Sequence, residues 1–270
     1  MKHEVSVATW RRAIPFFLIS VFILLCPVML RADAAPGAGF ADSPHDFSGK
    51  GAGNNQRQGN GVTTGPCTFC HTPHKALKTR LLWNHTLPNT NYTWGDITHT
   101  MGGTQLPQIS NTWTGPTRFC LSCHDGAVAI GDIAWFNRQS WTGGAAVDDK
   151  KHDSGQYNIA SPAGSMTGNH PVGHPYPFGK VANTYNSVTT GATVYLTDFN
   201  TDPTAKNIRL FSDATGIVVA GAVAGKTGIE CTSCHGVHNE TGIVKDEPLL
   251  RGTKGGKDDP EYICMKCHTR

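Results

Sequence analysis

The sequence has few of the residues from which a conventional apolar core is built. Only 38% of its 270 residues are hydrophobic and 16% are charged, whereas glycine alone contributes 31 residues. Such a chain is rich in turns and has little apolar surface to bury. It also lacks any basic run or patch, so nucleic acid is not expected as a partner.

Long apolar runs are absent except near the N terminus, between Ala13 and Leu30. Basic residues precede this run and small residues follow it, which is typical of a cleavable secretory signal. We therefore predict a signal peptide over residues 1–34, cleaved after Ala34 or Ala35. The alternative is an uncleaved membrane anchor, but the run is at the lower edge of the length that spans a bilayer.

Removal of this segment changes the composition of the chain. Eight of the nine cysteines remain, all in Cys-x-x-Cys pairs, and the formal charge falls from +3 to +1. We expect an exported protein, located outside the cell or on its outer surface, or alternatively in the periplasm.

Four Cys-x-x-Cys-His motifs account for all eight cysteines. Two thiols three positions apart reach the two vinyl groups on one edge of a porphyrin, and the next residue lies under the ring, where its imidazole binds iron. The sequence therefore predicts four covalently attached haem c groups. The thioether cysteines and proximal histidines are Cys67, Cys70 and His71; Cys120, Cys123 and His124; Cys231, Cys234 and His235; and Cys264, Cys267 and His268.

The cysteine pairs by themselves also fit three other interpretations. Paired Cys-x-x-Cys knuckles bind zinc, they form redox-active or structural disulfides, or they arise by chance. The histidine after every pair disfavours all three, because four such histidines would occur by accident on the order of once in 10⁵ cases. Export to an oxidising compartment also suits haem attachment better than zinc thiolates.

Four six-coordinate irons need four further axial ligands. Outside the signal and the motifs only Met101 and Met166 offer a thioether, whereas eight histidines remain. This supply favours bis-histidine ligation, which gives lower reduction potentials than histidine–methionine ligation.

His74 and His238 each stand three residues after a motif histidine. Residues i and i+3 share one face of a helical turn, so neither imidazole can cross its own porphyrin to reach the far side. If either of them binds iron, it binds the iron of another haem, and the haems must then lie close together.

The other histidines differ in their sequence surroundings. His85 closes Leu-Trp-Asn-His, and His45 lies within Ser-Pro-His-Asp-Phe. His170 and His174 compete for one role in His-Pro-Val-Gly-His-Pro, where the prolines stiffen the backbone. Two more lie in polar loops and are interpreted as ordinary surface residues, His99 and His152.

The predicted fold is a multihaem cytochrome c. It is mostly irregular, with short helices at the haem motifs, a few β-strands in an insert, and the haem stack as its core. Residues 35–66 are predicted to form an N-terminal arm and residues 67–270 a single tetrahaem domain, with the strand-rich insert at about 180–225. Covalent attachment at two points also restricts the unfolded chain, as other crosslinks do.

Individual elements follow from the local pattern. A helical turn is expected from Cys120 to Ile133, and residues 252–259 read as a loop. Thr193–Phe199 alternates apolar and polar residues and is predicted to be a strand. Asn207–Phe211 and Gly216–Ala224 are also strand-like, which gives two to four short strands in all.

In order along the chain, these motifs resemble the tetrahaem cytochromes of metal-reducing bacteria, some of which polymerise into extracellular filaments. The resemblance covers the chain from about residue 44 to its end and includes Pro-His-Asp-Phe-Ser (44–48), Cys-Thr-Phe-Cys-His-Thr-Pro-His (67–74), Leu-Trp-Asn-His (82–85), Cys-Leu-Ser-Cys-His-Asp-Gly-Ala-Val-Ala (120–129), His-Pro-Val-Gly (170–173) and Cys-Thr-Ser-Cys-His-Gly-Val-His (231–238).

The resemblance implies bis-histidine haems in a continuous stack, with one distal histidine supplied by a neighbouring subunit. By analogy with the filament cytochromes, His74 is the candidate for this intersubunit ligand. Five histidines fall on the histidine-bearing motifs of the group and compete for four distal places: His45, His74, His85, His170 and His238.

Three functions are compatible with this site. The first is an electron conduit without catalysis of its own, polymerised into a filament and passing electrons to other redox cytochromes or extracellular acceptors. The second is a monomeric shuttle with the same chemistry. The third is a multihaem oxyanion reductase, which needs an open iron position with acid–base groups around it. No motif has lysine in place of histidine, and no paired acid–base cluster is evident.

Overall fold

The computed structural model describes Ser43, His45 and residues 67–72, 80–95, 97–127, 158–238, 249–256 and 258–269. These residues belong to one compact unit, Ala34–Arg270. The predicted signal peptide, most of the predicted arm, His74 and His152 lie outside the described residues. None of the described helices is long and apolar enough to span a membrane.

Short helices carry three of the four motifs. They are α1 (Pro116–His124), α2 (Cys231–Cys234) and α3 (Ile263–Cys267). Helix α1 begins four residues before the expected Cys120, because Pro116 suits the first position of a helix. It ends at His124, and Gly126 then adopts the left-handed conformation with φ of 68°.

Six short strands lie between residues 174 and 229. They are β1 (His174–Pro175), β2 (Thr184–Tyr185), β3 (Val188–Thr189), β4 (Phe211–Ser212), β5 (Val219–Ala220) and β6 (Thr227–Ile229). Strands β1, β6, β4 and β5 form an antiparallel sheet in that order, and β2 and β3 form a hairpin. The end of β6 leads through Glu230 directly into α2, so the sheet positions the third motif.

The β2–β3 hairpin has a two-residue turn. Asn186 and Ser187 both have positive φ, 50° and 61°. A turn with two left-handed residues matches the twist of the flanking strands. The hairpin places Tyr185 opposite Val188, and the Tyr185 side chain is fully buried.

The predicted strand over Thr193–Phe199 is wrong. Leu196–Asp198 forms a turn of 3₁₀-helix instead. Phe199 forms an isolated bridge with His268, and its ring packs against the His268 imidazole at 4.8 Å and against Tyr176 at 5.8 Å. The alternating pattern therefore reflects packing of this segment against the fourth motif, not pairing within a sheet.

The buried apolar side chains form small clusters. One contains Tyr92, Trp94, Ile109, Leu121, Ala160 and Met166. A second contains Tyr176, Ile208, Leu210 and Ile229, and a third contains Tyr185, Phe211 and Val218. Two of these clusters touch a motif: Leu121 lies within the second motif and belongs to the first cluster, and Cys267 of the fourth motif packs against the second cluster.

We expect Ile109→Ala to lower the free energy of unfolding by about 2–5 kcal/mol, because Ile109 is fully buried and its replacement leaves a cavity. Urea denaturation of the purified protein measures the change. The matched control is Ile97→Ala, since 48% of Ile97 is exposed and the expected change is within about 0.5 kcal/mol. Equal losses in the two variants would contradict the cluster.

Candidate functional site

Each motif histidine whose local hydrogen bonds are described closes one helical turn. The backbone N–H of His71 donates to the Cys67 carbonyl at 2.8 Å, and that of His268 donates to the Cys264 carbonyl at 2.8 Å. The same bond joins His235 to Cys231 at 3.1 Å. The first motif thus has the local geometry of the third and fourth, although its residues form a turn and not a helix.

The first and second motifs are close in space. None of the eight motif cysteines forms a disulfide. Burial raises the pKa of Cys70 to about 12, and the neighbouring sulfur of Cys123 adds to this shift. Burial likewise raises the pKa of Cys123 to about 12. These sulfurs are therefore neutral at physiological pH, and in a haem-bearing protein they would be thioether sulfurs.

The second motif lies close to the third, and the third lies close to the fourth. The Cys120 thiol donates a hydrogen bond to the Cys231 sulfur, which raises the pKa of Cys120 and lowers that of Cys231. Burial, together with the nearby sulfurs of Cys231 and Cys264, raises the pKa of Cys234 to about 11. The four motifs therefore follow one another in space in the order in which they follow in the sequence.

Three of the four motif histidines lie opposite a second histidine. The ring centroids of His124 and His45 are 6.1 Å apart. Those of His71 and His238 are 6.2 Å apart, and those of His268 and His170 are 6.5 Å apart. In every pair the second residue is one of the five histidines expected to compete for distal places.

The separation within each pair fits a metal ion held between two imidazoles. Two imidazoles that bind one metal from opposite sides have centroids roughly 6.2–6.4 Å apart, since each metal–nitrogen bond is about 2.0 Å long and each nitrogen lies about 1.1–1.2 Å from its ring centroid. The interplanar angles of 66°, 39° and 62° do not conflict with this. Both rings can contain the metal–nitrogen axis at any mutual rotation.

The His71 imidazole is oriented by a strained turn. Leu81 and Leu82 have positive φ, 64° and 53°, which is uncommon for residues other than glycine. The turn directs the Leu81 carbonyl at Nδ1 of His71, 2.6 Å away. A carbonyl at Nδ1 leaves Nε2 as the nitrogen that can bind a metal.

Trp83 connects this histidine to the second motif. Its ring lies 5.6 Å from the His71 ring and 5.4 Å from Phe119. Its Nε1 donates to Ser122 Oγ at 3.1 Å. Trp83, two residues before His85, therefore packs between the first motif and α1.

His170 and His174 share one local arrangement. In both, Nδ1 lies 3.0 Å from the carbonyl of the following proline, so each His-Pro pair leaves Nε2 available. Gly173 between them has φ of 64°, and a Cβ there would collide with Ile109. The turn at Gly173 thus separates the two histidines, and only His170 is recorded opposite His268.

His85 and His174 are the two other buried or partly buried histidines among the described residues. His85 is fully buried, with the Phe69 ring at 5.0 Å and the Trp83 ring at 5.8 Å. Nε2 of His174 is buried and accepts or donates no hydrogen bond within the described part of the chain. His174, which competes with His170 for one role by sequence, therefore has a nitrogen available for a ligand.

The remaining predicted residues have plainer surroundings. His235 is the C-cap residue that follows α2, and it forms an isolated bridge with Leu250. His99 is exposed, with Nδ1 2.9 Å from Thr98 Oγ1. Met166 is buried in the first apolar cluster and Met101 is exposed.

Sequence reasoning did not find Glu230 as a site residue. This carboxyl group is fully buried beside the third motif. The available signal was local: Glu230 precedes Cys231 and forms a reciprocal capping box with Ser233, in which the Glu230 backbone N–H donates to Ser233 Oγ at 2.9 Å. Glutamate is rarely buried, so position alone did not indicate it.

No group of three or more histidine, cysteine or acidic side chains within the described ranges has the arrangement of a metal site. Comparison of the chain with protein-family models finds no matching family. Comparison with curated proteins finds no match either.

We predict that His174 makes folding acid-sensitive. Burial lowers its pKa from 6.5 to about 4, so between these values the unfolded chain binds a proton that the folded chain does not. Stability attributable to this residue is therefore lost as the pH falls, by about 2 kcal/mol between pH 7 and pH 5. Urea unfolding at both pH values should show a shallower decline in His174→Gln than in the wild type. Equal declines in the wild type and this variant, or the same flattening in the exposed control His99→Gln, would contradict the assignment.

Proposed function

We propose that the chain is an electron-transfer protein that carries four covalently attached c-type haems with bis-histidine ligation. The observation that carries the proposal is the spacing of three histidine pairs. In each pair a motif histidine lies 6.1–6.5 Å from a second histidine far from it in the sequence. Folding alone gives no reason for three such coincidences at three Cys-x-x-Cys-His motifs.

The chain's own residues would hold each group in three ways. The paired cysteines would form thioethers, the motif histidine would bind the iron, and in three of the four groups the paired histidine would be the second iron ligand. The second-face residues are His45 for His124, His238 for His71, and His170 for His268. Bound haem would supply one-electron chemistry between ferric and ferrous iron, and two histidine ligands on the iron would leave no open position for a substrate.

The distal ligand of the third haem, whose proximal ligand is His235, remains to be assigned. The sequence offers His74 and His85 for it, and the burial of Nε2 adds His174. By the resemblance to filament cytochromes, His74 is the candidate that reaches a neighbouring subunit. In that arrangement the chain would be one link of an extracellular filament and would exchange electrons with other cytochromes or extracellular acceptors.

The succession of the motifs supports a conduit. Cys70 and Cys123, Cys120 and Cys231, and Cys234 and Cys264 bring each motif close to the next. Closely spaced one-electron carriers pass electrons along a series without any bond being made or broken. The second-face histidines also favour a carrier over an oxyanion reductase. A reductase needs an iron with an open coordination position for its substrate, and a second histidine ligand would occupy that position.

Purification of the protein after export from a host with a c-type haem-attachment system tests the proposal. The expected product has four haems by intact mass and pyridine haemochrome absorbance. After reduction it does not bind carbon monoxide, or binds it at no more than one haem if His235 needs a neighbouring subunit. Fewer than four covalent haems, or carbon monoxide bound at several of them, would contradict it. Gel filtration and negative-stain imaging then separate a filament from a monomeric shuttle.

A further inference from the structure

The most deeply buried charged group near the motifs is the carboxyl group of Glu230, which is 0% exposed. Oε1 accepts hydrogen bonds from the Tyr185 hydroxyl at 2.7 Å and from Trp113 Nε1 at 3.1 Å. Oε2 accepts from the backbone N–H of Thr117 at 3.0 Å. The bonds converge from α1, from the segment before it and from the β2–β3 hairpin.

Burial raises the pKa of Glu230 and so favours the neutral acid, but the hydrogen bonds from Thr117, Tyr185 and Trp113 oppose that rise and favour an ionised carboxylate. An indole N–H and a backbone N–H can only donate, so both oxygens of Glu230 must accept. A buried carboxylate is tolerated when donors surround it in this way. Within the described ranges, no lysine or arginine forms an ion pair with it. Its charge is therefore stabilised by dipoles and is not cancelled by a cation.

The carboxylate lies at the junction of the second and third motifs. The Cys231 backbone N–H donates to Thr117 Oγ1 at 3.2 Å, which ties α2 to the start of α1. The electrostatic effect of Glu230 reaches the sulfurs of both Cys120 and Cys231, which lie close together. One uncancelled negative charge thus lies beside two attachment points.

We propose that Glu230 is a fixed negative charge that lowers the reduction potentials of the haems attached at the second and third motifs. The inference rests on the proposed function, because it requires those haems. Reduction adds one electron to a haem, and a nearby anion opposes that gain more strongly inside a protein than in water. Burial and charge near a haem are among the means by which a protein adjusts its potential.

A purely structural role is the competing explanation, since Glu230 is also the N-cap of α2. The two roles make different predictions for charge-neutral and charge-retaining variants. Glu230→Gln removes the charge with little change in size, and Glu230→Ser removes it while keeping a residue that favours an N-cap. Glu230→Asp retains the charge, and Tyr185→Phe removes one donor while the carboxylate remains.

The test is an anaerobic redox titration of the purified holoprotein, followed by haem absorbance. In Glu230→Gln or Glu230→Ser, two of the four components should be reduced more easily, by about tenfold in the reduction equilibrium, which is about 59 mV for one electron. Tyr185→Phe and Glu230→Asp should shift much less. Asp202→Asn is the matched control, because Asp202 is an exposed N-cap carboxylate whose charge water screens.

Three outcomes would overturn the inference. The first is a neutral variant with four haems and unchanged potentials. The second is an equal shift in Tyr185→Phe and in the neutral variants. The third is loss of haem from both neutral variants while Glu230→Asp keeps four, since that result would assign Glu230 a structural role alone. A wild-type protein without covalent haem is a different result, because it would refute the proposed function itself.

Discussion

The double substitution Cys231→Ala and Cys234→Ala is expected to leave three covalent haems and to destabilise the protein more than any other motif replacement. Removal of a native disulfide, which is a comparable covalent crosslink, typically costs a small domain about 2–5 kcal/mol. That is a large part of the roughly 5–15 kcal/mol by which a domain is stable. Alanine at both positions removes the thioethers but keeps the helical propensity of α2.

We expect the third motif to contribute most to stability because it lies close to both the second and the fourth motif. Cys231 lies close to Cys120 of the second motif, and Cys234 lies close to Cys264 of the fourth. The Cys234 carbonyl also accepts from the Arg251 backbone N–H at 2.8 Å. The motif therefore joins the second motif to the fourth and to the segment at 249–256.

The matched comparison is Cys264→Ala with Cys267→Ala. Cys264 is exposed, and α3 lies close to the C-terminal end of the described chain, so the expected loss is smaller. Intact mass gives the haem count, and urea unfolding followed by haem absorbance gives the stability. Equal destabilisation by the two double variants, or retention of four haems in either, would show that the motifs do not have these roles.

The local part of the site could be predicted from the sequence. The spacing within Cys-x-x-Cys-His corresponds to one helical turn, and the i, i+3 relation of His238 to His235 restricts its imidazole to one side of that turn. This relation predicts that His238, if it binds iron, binds the iron of another haem, and its ring lies 6.2 Å from that of His71, which belongs to a different motif. Local backbone geometry is sufficient for this prediction because His235 and His238 are only three positions apart.

The long-range part could not be predicted from the residues alone. His45 and His124 are separated by 79 positions, and only the fold brings their rings to 6.1 Å. His170 and His174 have the same local His-Pro sequence and the same Nδ1 hydrogen bond. Their tertiary contacts distinguish them, because β1 pairs His174 with Ile229, whereas His170 lies opposite His268.

Side-chain packing also explains the errors in the strand assignments. Strands of two or three residues carry almost no periodic signal, so their edges could not be located. Thr193–Phe199 has a strand-like alternation, yet Phe199 is directed at His268 and Tyr176. Burial of Glu230 depends on donors from Trp113, Thr117 and Tyr185, which are 45 or more positions away.

The largest functional change is expected from substitutions on the second face of the iron. His238→Ala should convert a protein that does not bind carbon monoxide at the first-motif haem into one that binds one equivalent there. The substitution removes the imidazole opposite His71 and leaves the thioethers at Cys67 and Cys70 intact. His45→Ala and His170→Ala should each open one haem in the same way, at the second and fourth motifs.

His99→Ala is the control, because His99 is exposed and interacts with Thr98, and it should open no haem. Carbon monoxide difference spectra of the reduced proteins count the open irons, and electron paramagnetic resonance of the oxidised proteins follows the loss of one six-coordinate low-spin signal. No binding in His238→Ala would refute the pairing with His71.

The same measurement on His74→Ala, His85→Ala and His174→Ala identifies the partner of His235. If the ligand comes from the same chain, one of these variants gains an open haem as an isolated monomer. If His74 reaches a neighbouring subunit, His74→Ala should instead prevent assembly, and the His235 haem should bind carbon monoxide in every monomeric preparation, including the wild type. The identity of the one distal ligand that the three pairs leave unassigned therefore also distinguishes a filament from a monomeric carrier.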